Sequence, residues 1–169
     1  MAAKKRKITL KNVKAPKDLF TKIHKAIRDN PDRYQQRAWH CRLLGEAAQG
    51  QPRSFMLLEP EDTSLKELRS CTTAHCFAGW GSLFIKGGLQ LELQVDGLDA
   101  EDVVQAALKN SRRDAVPHEL VFGFADPVQV KRYIFARAMA EEGYKPTSEE
   151  RREFLVRYTE RYPRGFMRR

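Results

Sequence analysis

Histidine and cysteine, the side chains suited to metal and thiol chemistry, gather in two short segments: Trp39-His40-Cys41 and Cys71-Thr72-Thr73-Ala74-His75-Cys76. Cys41, Cys71, His75 and Cys76, with His40 beside them, offer the nitrogen and sulfur ligands of a tetrahedral zinc ion. Their spacing does not make a ready site. On a helix Cys71 and His75 share a face, whereas Cys76 points ~140° from Cys71 at ~100° per residue. Convergence would require Cys71 to sit in a turn before the helix, and the pattern is not that of a zinc finger. A thiol nucleophile is the second chemistry, with Cys71 near a helix N-terminus and His75 or His40 as its base. No Asn or Asp is spaced to orient that base, and cysteine-protease signatures are absent. The third reading is packing, and the residues favour it. Unpaired cysteine behaves as a small buried hydrophobe, Ala78-Gly79 admits a close neighbour, and Phe77, Trp80 and Phe84 fill a core. No catalytic residue, metal or cofactor is therefore assigned, and the chain is expected not to be an enzyme.

Cys71, Thr73, His75, Cys76, Ala78, Gly79 and Trp80 fit the pattern C-[GTS]-T-x-[HA]-C-x-A-G-W. Over these ten residues the chain resembles a family of small uncharacterised bacterial and bacteriophage proteins. The resemblance implies an upstream tryptophan segment, a part Trp39-His40-Cys41 can play across a longer intervening loop (about residues 45–70). It also implies a short helix and a further helix pair downstream, which residues 99–142 can supply. It carries no activity with it, but it implies a phage or mobile-element origin.

The elements that must hold these residues read as mostly helical. Pro16 suits a first turn, and Leu19, Phe20, Ile23 and Ile27 recur at helical spacing, which predicts a helix over about 16–29. Asn30 as N-cap and Pro31 at the first position predict a second helix over about 31–44. Glycine and proline make 45–60 a loop, with a brief strand at Phe55-Met56-Leu57-Leu58, and 64–69 forms a single turn. Thr72 or Thr73 caps a helix running to Lys86, where Gly87-Gly88 stops it. On this reading the cysteine segment packs helix 73–86 against helix 31–44. The alternation of Leu89-Gln-Leu-Glu-Leu-Gln-Val95 predicts a half-buried strand. Asp99 caps a helix over about 100–109, and Leu120-Val121-Phe122 reads as either a short strand or a helical turn. Asp126-Pro127 opens a helix to about 142. Thr147 and Glu150 form a capping box for a last helix through about Tyr162. The expected fold class is mainly α, a small helical domain with one or two short β-strands. It divides into a flexible basic arm (1–14), an α-rich globular domain (15–146) and a basic C-terminal helix and tail (147–169).

Charge is distributed unevenly along the 169 residues. The net charge is +9; residues 1–30 carry +8, residues 31–150 carry −4 and residues 151–169 carry +5. Basic chain ends flanking a mildly acidic body are the footprint of phosphate contacts, in which each neutralised phosphate releases counterions. The candidate nucleic-acid-binding residues are Lys4, Lys5, Arg6, Lys7, Lys11 and Lys14 in the arm, and Arg157, Arg161, Arg164, Arg168 and Arg169 at the other end. Tyr158, Tyr162 and Phe166 lie among those arginines and could stack on bases. Lys109 to Arg113 adds three basic residues in a loop. No apolar run reaches the ~18–20 residues of a membrane span, no signal-peptide core is visible, and no P-loop pattern occurs. Three cysteines, an odd count, do not form a disulfide framework and suit a reducing compartment. The expectation is a cytoplasmic, non-enzymatic basic accessory protein that associates with nucleic acid or a nucleoprotein complex. One alternative is a protein-binding module or inhibitor docking on a host enzyme. A second is a metal- or thiol-dependent enzyme built on the Cys/His cluster.

Overall fold

Leu19, Phe20, Ile23 and Ile27 fall on one side of a helix, and in the structure that side is buried on α1 (Leu19–Asp29). The structure is a computed structural model and describes residues 8–36, 39–44, 55–58, 63–70, 73–121 and 126–152. α1 ends where Asn30 Nδ2 turns back to donate to the Ala26 carbonyl, 3.1 Å away. Asn30 thereby closes α1 rather than capping a new helix. Pro31–Arg33 makes only a single 3-10 turn, and His40–Leu43 is a strand, β1, so the helix expected over 31–44 is corrected. The burial of β1 explains the difference. Cys41 and Leu43 point in and Arg42 points out, as on a strand, while His40 on the Arg42 side is buried against Glu92.

β1 lies at the centre of a three-stranded antiparallel sheet, between β2 (Phe55–Leu57) and β3 (Thr73–His75). The short strand expected near residue 55 is present. β3, however, occupies the start of the expected helix 73–86. Its register sets His40 opposite His75 and Cys41 opposite Ala74. Between the strands, Ser64 caps the single turn α2 (Leu65–Leu68) by accepting from the Glu67 N–H. The helix after β3, α3, runs only from Phe77 to Phe84, and Cys76 rather than a threonine is its N-cap, its sulfur accepting from the Gly79 N–H at 3.5 Å. The cysteine segment therefore packs a helix start against a strand start. The Cys76 N–H donates to the Trp39 carbonyl, and a Cβ at Gly79 would stand 2.0 Å from that same oxygen. Only glycine permits so close an approach.

The alternating residues 89–95 are also corrected: Gly88–Gln94 is a helix, α4, with Leu89, Leu91 and Glu92 buried and Gln90 and Gln94 exposed. Seven residues fit a period of two or of 3.6, and the left-handed glycines Gly87 and Gly97 bound the segment as a short helix. The remaining helices follow their caps. Asp99 and Asp102 form a capping box for α5 (Ala100–Asn110), and α6 (His118–Val121) is the helical turn of the two options. Asp126-Pro127 opens α7 (Pro127–Met139), and Thr147 and Glu150 box the start of α8 (Ser148–Glu150). The continuation to Tyr162 lies outside the described residues.

α1 packs on α7 and α3, and α3 packs on α5, where Gly81 lets the Val104 methyls approach. The result is a mainly α-helical fold with one small sheet, the expected class. One boundary moves. Residues 8–14, expected within a flexible arm, are packed: Val13 is buried, and Ile8 and Leu10 rest on the core. Among the described residues no helix is long and apolar enough to cross a membrane.

Candidate nucleic-acid interface and a buried histidine relay

The packed segment 8–17 forms a strap across the end of α5. Asn110 Nδ2 donates to two strap carbonyls, those of Leu10 (2.7 Å) and Val13 (2.9 Å). The Ala15 N–H donates to the Ala107 carbonyl and to Ser111 Oγ. Arg113 donates to the carbonyls of Pro16 (2.9 Å) and Lys17 (3.3 Å) and pairs with Glu141. Backbone groups separated by nearly a hundred residues are thus fixed within hydrogen-bond reach. These bonds set residues 10–17 against residues 107–113, and the two segments carry exposed Lys11, Lys14 and Lys17 on one side and exposed Lys109 and Arg112 on the other. None of these five makes an ion pair with a described residue. Asp114 is the exposed acid nearest Arg112 in sequence.

The end of α5 has a Schellman geometry. The Arg113 N–H donates to the Leu108 carbonyl and the Arg112 N–H to the Lys109 carbonyl. Arg112 occupies the left-handed position of that motif, with φ 55°. The other left-handed positions among the described residues, Gly87, Gly97 and Gly143, are all glycine.

Of the residues singled out for phosphate contact, Lys11 and Lys14 belong to this strap. Lys4, Lys5, Arg6, Lys7, Arg157, Arg161, Arg164, Arg168 and Arg169 lie outside the described residues. So does Cys71.

The cysteine–histidine cluster resolves differently. His40 and His75, paired across β1 and β3, bring their Nδ1 atoms to 2.8 Å. On its other side His40 Nε2 meets Glu92 Oε2 at 2.9 Å, and Ser82 Oγ donates to Glu92 Oε1. His75, His40, Glu92 and Ser82 thus form one buried polar chain linking the sheet, α4 and α3. A single hydrogen lies between the two Nδ1 atoms. If His40 carries the charge opposite Glu92, His75 accepts at Nδ1 and keeps its proton on Nε2. If His40 is neutral and donates to Glu92, His75 donates from Nδ1. The first arrangement requires a neutral His75; the second admits either state, and burial selects the neutral ring.

Burial holds the His75 imidazole neutral, with His40 and Arg33 reinforcing it and the Leu68 carbonyl weakly opposing, so that it protonates only at about 2. The Leu68 carbonyl forms no well-made bond, because His75 Nε2 has no hydrogen-bond partner among the described residues. Trp80 packs edge-on to His75, and the Arg33 guanidinium lies 5.1 Å from the Trp80 ring centre. Burial pushes the Cys76 thiol up to about 12 and the Cys41 thiol up to about 11. Both are therefore protonated at neutral pH, the state of a packing cysteine. Among the described residues, no three His, Cys, Asp or Glu side chains stand together as a metal site.

Sequence reasoning missed Glu92 and Ser82 as partners of the histidines. Reading Glu92 on a strand hid it, although Leu89 and Glu92 stand three apart after a glycine stop, as on a helix face. A separate cleft of about 570 Å³ opens where α1, α7 and α8 meet, and none of the relay residues lines it. Its polar groups serve one another. Glu150 takes His24 at 2.8 Å, Arg28 and Tyr144 at 3.0 Å, and the Thr147 N–H at 2.7 Å. Burial alone would raise the Glu150 carboxyl, but these four donors bring it down to about 2. No family model, curated protein or solved structure matches this chain.

Proposed function

We propose that the chain is a cytoplasmic, non-enzymatic accessory protein that associates through its basic ends with nucleic acid, free or within a nucleoprotein complex. The observation that carries this reading is the charge layout, +8 and +5 at the ends around a body of −4. Such a layout supplies sequence-independent affinity for a phosphate backbone and little else. The strap supports it by holding Lys11, Lys14 and Lys17 in the open. The phage or mobile-element origin implied by residues 71–80 agrees with a small accessory role and belongs to the proposal.

The test is affinity for a labelled DNA duplex and a labelled RNA hairpin across a salt series. The full chain is compared with a variant lacking residues 1–7. Truncation further, to residue 14, would remove buried Val13 and confuse binding with folding. The expected result is a linear fall of log affinity with log salt, shallower in the truncated chain by ~0.9 for each phosphate that the arm neutralises. Absence of binding to either nucleic acid near physiological salt would overturn the reading.

A protein-binding module, docking on a host enzyme as an inhibitor, is the second reading, and exposed apolar side chains around the sheet favour it. Trp39, Leu44, Met56 and Leu57 are exposed apolar side chains in or beside β1 and the edge strand β2, with Leu57 at 56% exposure. Capture of one stoichiometric protein that survives nuclease treatment would favour this reading over the first. The Cys/His enzyme reading turns on Cys71, which lies outside the described residues, and no described observation favours it.

A further inference from the structure

The two basic segments that meet at the end of α5 have the properties of a single binding surface. Lys11, Lys14 and Lys17 come from the strap, Lys109 and Arg112 from the helix end. Three separate attachments hold the first set against the second: the Asn110 fork, the Ala15 N–H and the Arg113 guanidinium. Part of this charge has a structural explanation, because a cation near a helix C-terminus complements the helix dipole. That explanation serves Lys109. It also serves the charge of Arg112, but not the presence of a Cβ at that position. A side chain with a Cβ is strained at φ 55°, and glycine is the residue a Schellman C′ position favours. An arginine held where the backbone prefers glycine is the kind of local strain that accompanies a binding role.

We infer that Lys11, Lys14, Lys17, Lys109 and Arg112 form one composite surface for the phosphodiester backbone of nucleic acid. Asn110 is the positioning residue that sets the strap against the helix end. The inference rests on the nucleic-acid reading and deepens it by naming the site. Its chemistry is that of charge and hydrogen-bond donation to phosphate oxygens. Arg112 can offer a paired donor fork, whereas the lysines act as point charges. Recognition by these five groups is sequence-tolerant, since phosphate contacts position a nucleic acid without reading its bases.

Arg112→Gly gives a test that misfolding does not confound, because glycine relieves the left-handed position. The probe is a fluorescein-labelled DNA duplex of mixed sequence, titrated with the full-length chain across a fourfold range of salt. Arg112→Gly is compared with the triple variant Lys11→Gln/Lys14→Gln/Lys17→Gln, with Asn110→Ala and with Lys66→Gln on α2. The log–log salt slope should fall by about 0.9 for Arg112→Gly and by up to about 2.7 for the triple variant. Across the fourfold salt range, affinity should therefore drop about 3.5-fold less steeply for each cation substituted. The melting temperature of Arg112→Gly should equal or exceed that of the natural chain. Asn110→Ala should lower affinity with all five cations present, and Lys66→Gln should leave the slope unchanged.

Unaltered slopes in both Arg112→Gly and the triple variant, with the natural chain still binding DNA, would overturn this site and spare the broader reading. Equal slope losses for Lys66→Gln and Arg112→Gly would overturn it as well, by showing that only total charge matters. Failure of the natural chain to bind, or stoichiometric binding of an acidic protein through the same five residues, would remove both proposals.

Discussion

Acid should destabilise this protein earlier than its carboxylates alone would require, and His75 is the reason. In the unfolded chain its imidazole takes up a proton as the pH falls through the ordinary histidine value of about 6.5. In the folded chain the same ring stays neutral until about 2. Below about 6.5 the unfolded state therefore binds a proton that the folded state refuses, and stability falls with pH. Each pH unit contributes about 1.4 kcal/mol, so the loss between about pH 6.5 and pH 5 is roughly 2 kcal/mol. The groups around the ring are His40 on β1, Arg33 after α1, Glu92 on α4 and Trp80 on α3. Because His40 shares the relay, a single pH curve is not sufficient. Urea unfolding should be run at closely spaced pH values on the natural chain, on His75→Gln and on His40→Gln. His75→Gln will be less stable at neutral pH, but its stability should lose the slope between about pH 6.5 and pH 5. In the natural folded chain the His75 ring carbon resonances should stay fixed over that range. A His75 resonance titrating near its ordinary value, or an identical pH slope in His75→Gln, would refute the reasoning.

Three further outcomes follow from contacts described above. Gly79→Ala should cost about 3 kcal/mol or more, measured by denaturant midpoint, because its Cβ meets the Trp39 backbone oxygen and backbone cannot step aside cheaply. Glu141→Ala strands two α1 N–H groups, those of Phe20 and Thr21, together with the Arg113 guanidinium. Its cost should be roughly 3 kcal/mol, and Glu141→Gln should recover part of it in the same unfolding assay. Cys41 and Cys76 should resist a thiol reagent in the native protein and react fully once it is unfolded. Rapid native labelling of either would contradict their burial.

The helices that could be read from the sequence are those whose signals are local. Asp99, Asp126 with Pro127 and Thr147 with Glu150 each announce a start within four residues, and each start is found in place. The sheet was harder to see. β1 and β3 are four and three residues long, too short for a period to declare itself, and their pairing spans more than thirty residues. Asn30-Pro31 carries the right residues for a helix start, yet Asn30 is taken up by the end of α1. The strap hid for a similar reason: a single buried valine gives no pattern, and the Asn110 fork that pins it lies about a hundred residues away. His40 and His75 stood out by type, but their partners Glu92 and Ser82 are supplied by packing and not by spacing.

Glu141 has a consequence for motion. The first amides of an α-helix have no intrahelical acceptor and usually exchange their hydrogens with solvent early. At the start of α1 those of Phe20 and Thr21 instead donate to Glu141, at 3.0 and 2.8 Å. The same carboxylate holds Arg113, which holds the strap carbonyls of Pro16 and Lys17. The strap, the start of α1 and the end of α7 are therefore tied to one buried anion. Their amides should share a single opening event and exchange together, at the rate of a cooperative unit larger than any one of them.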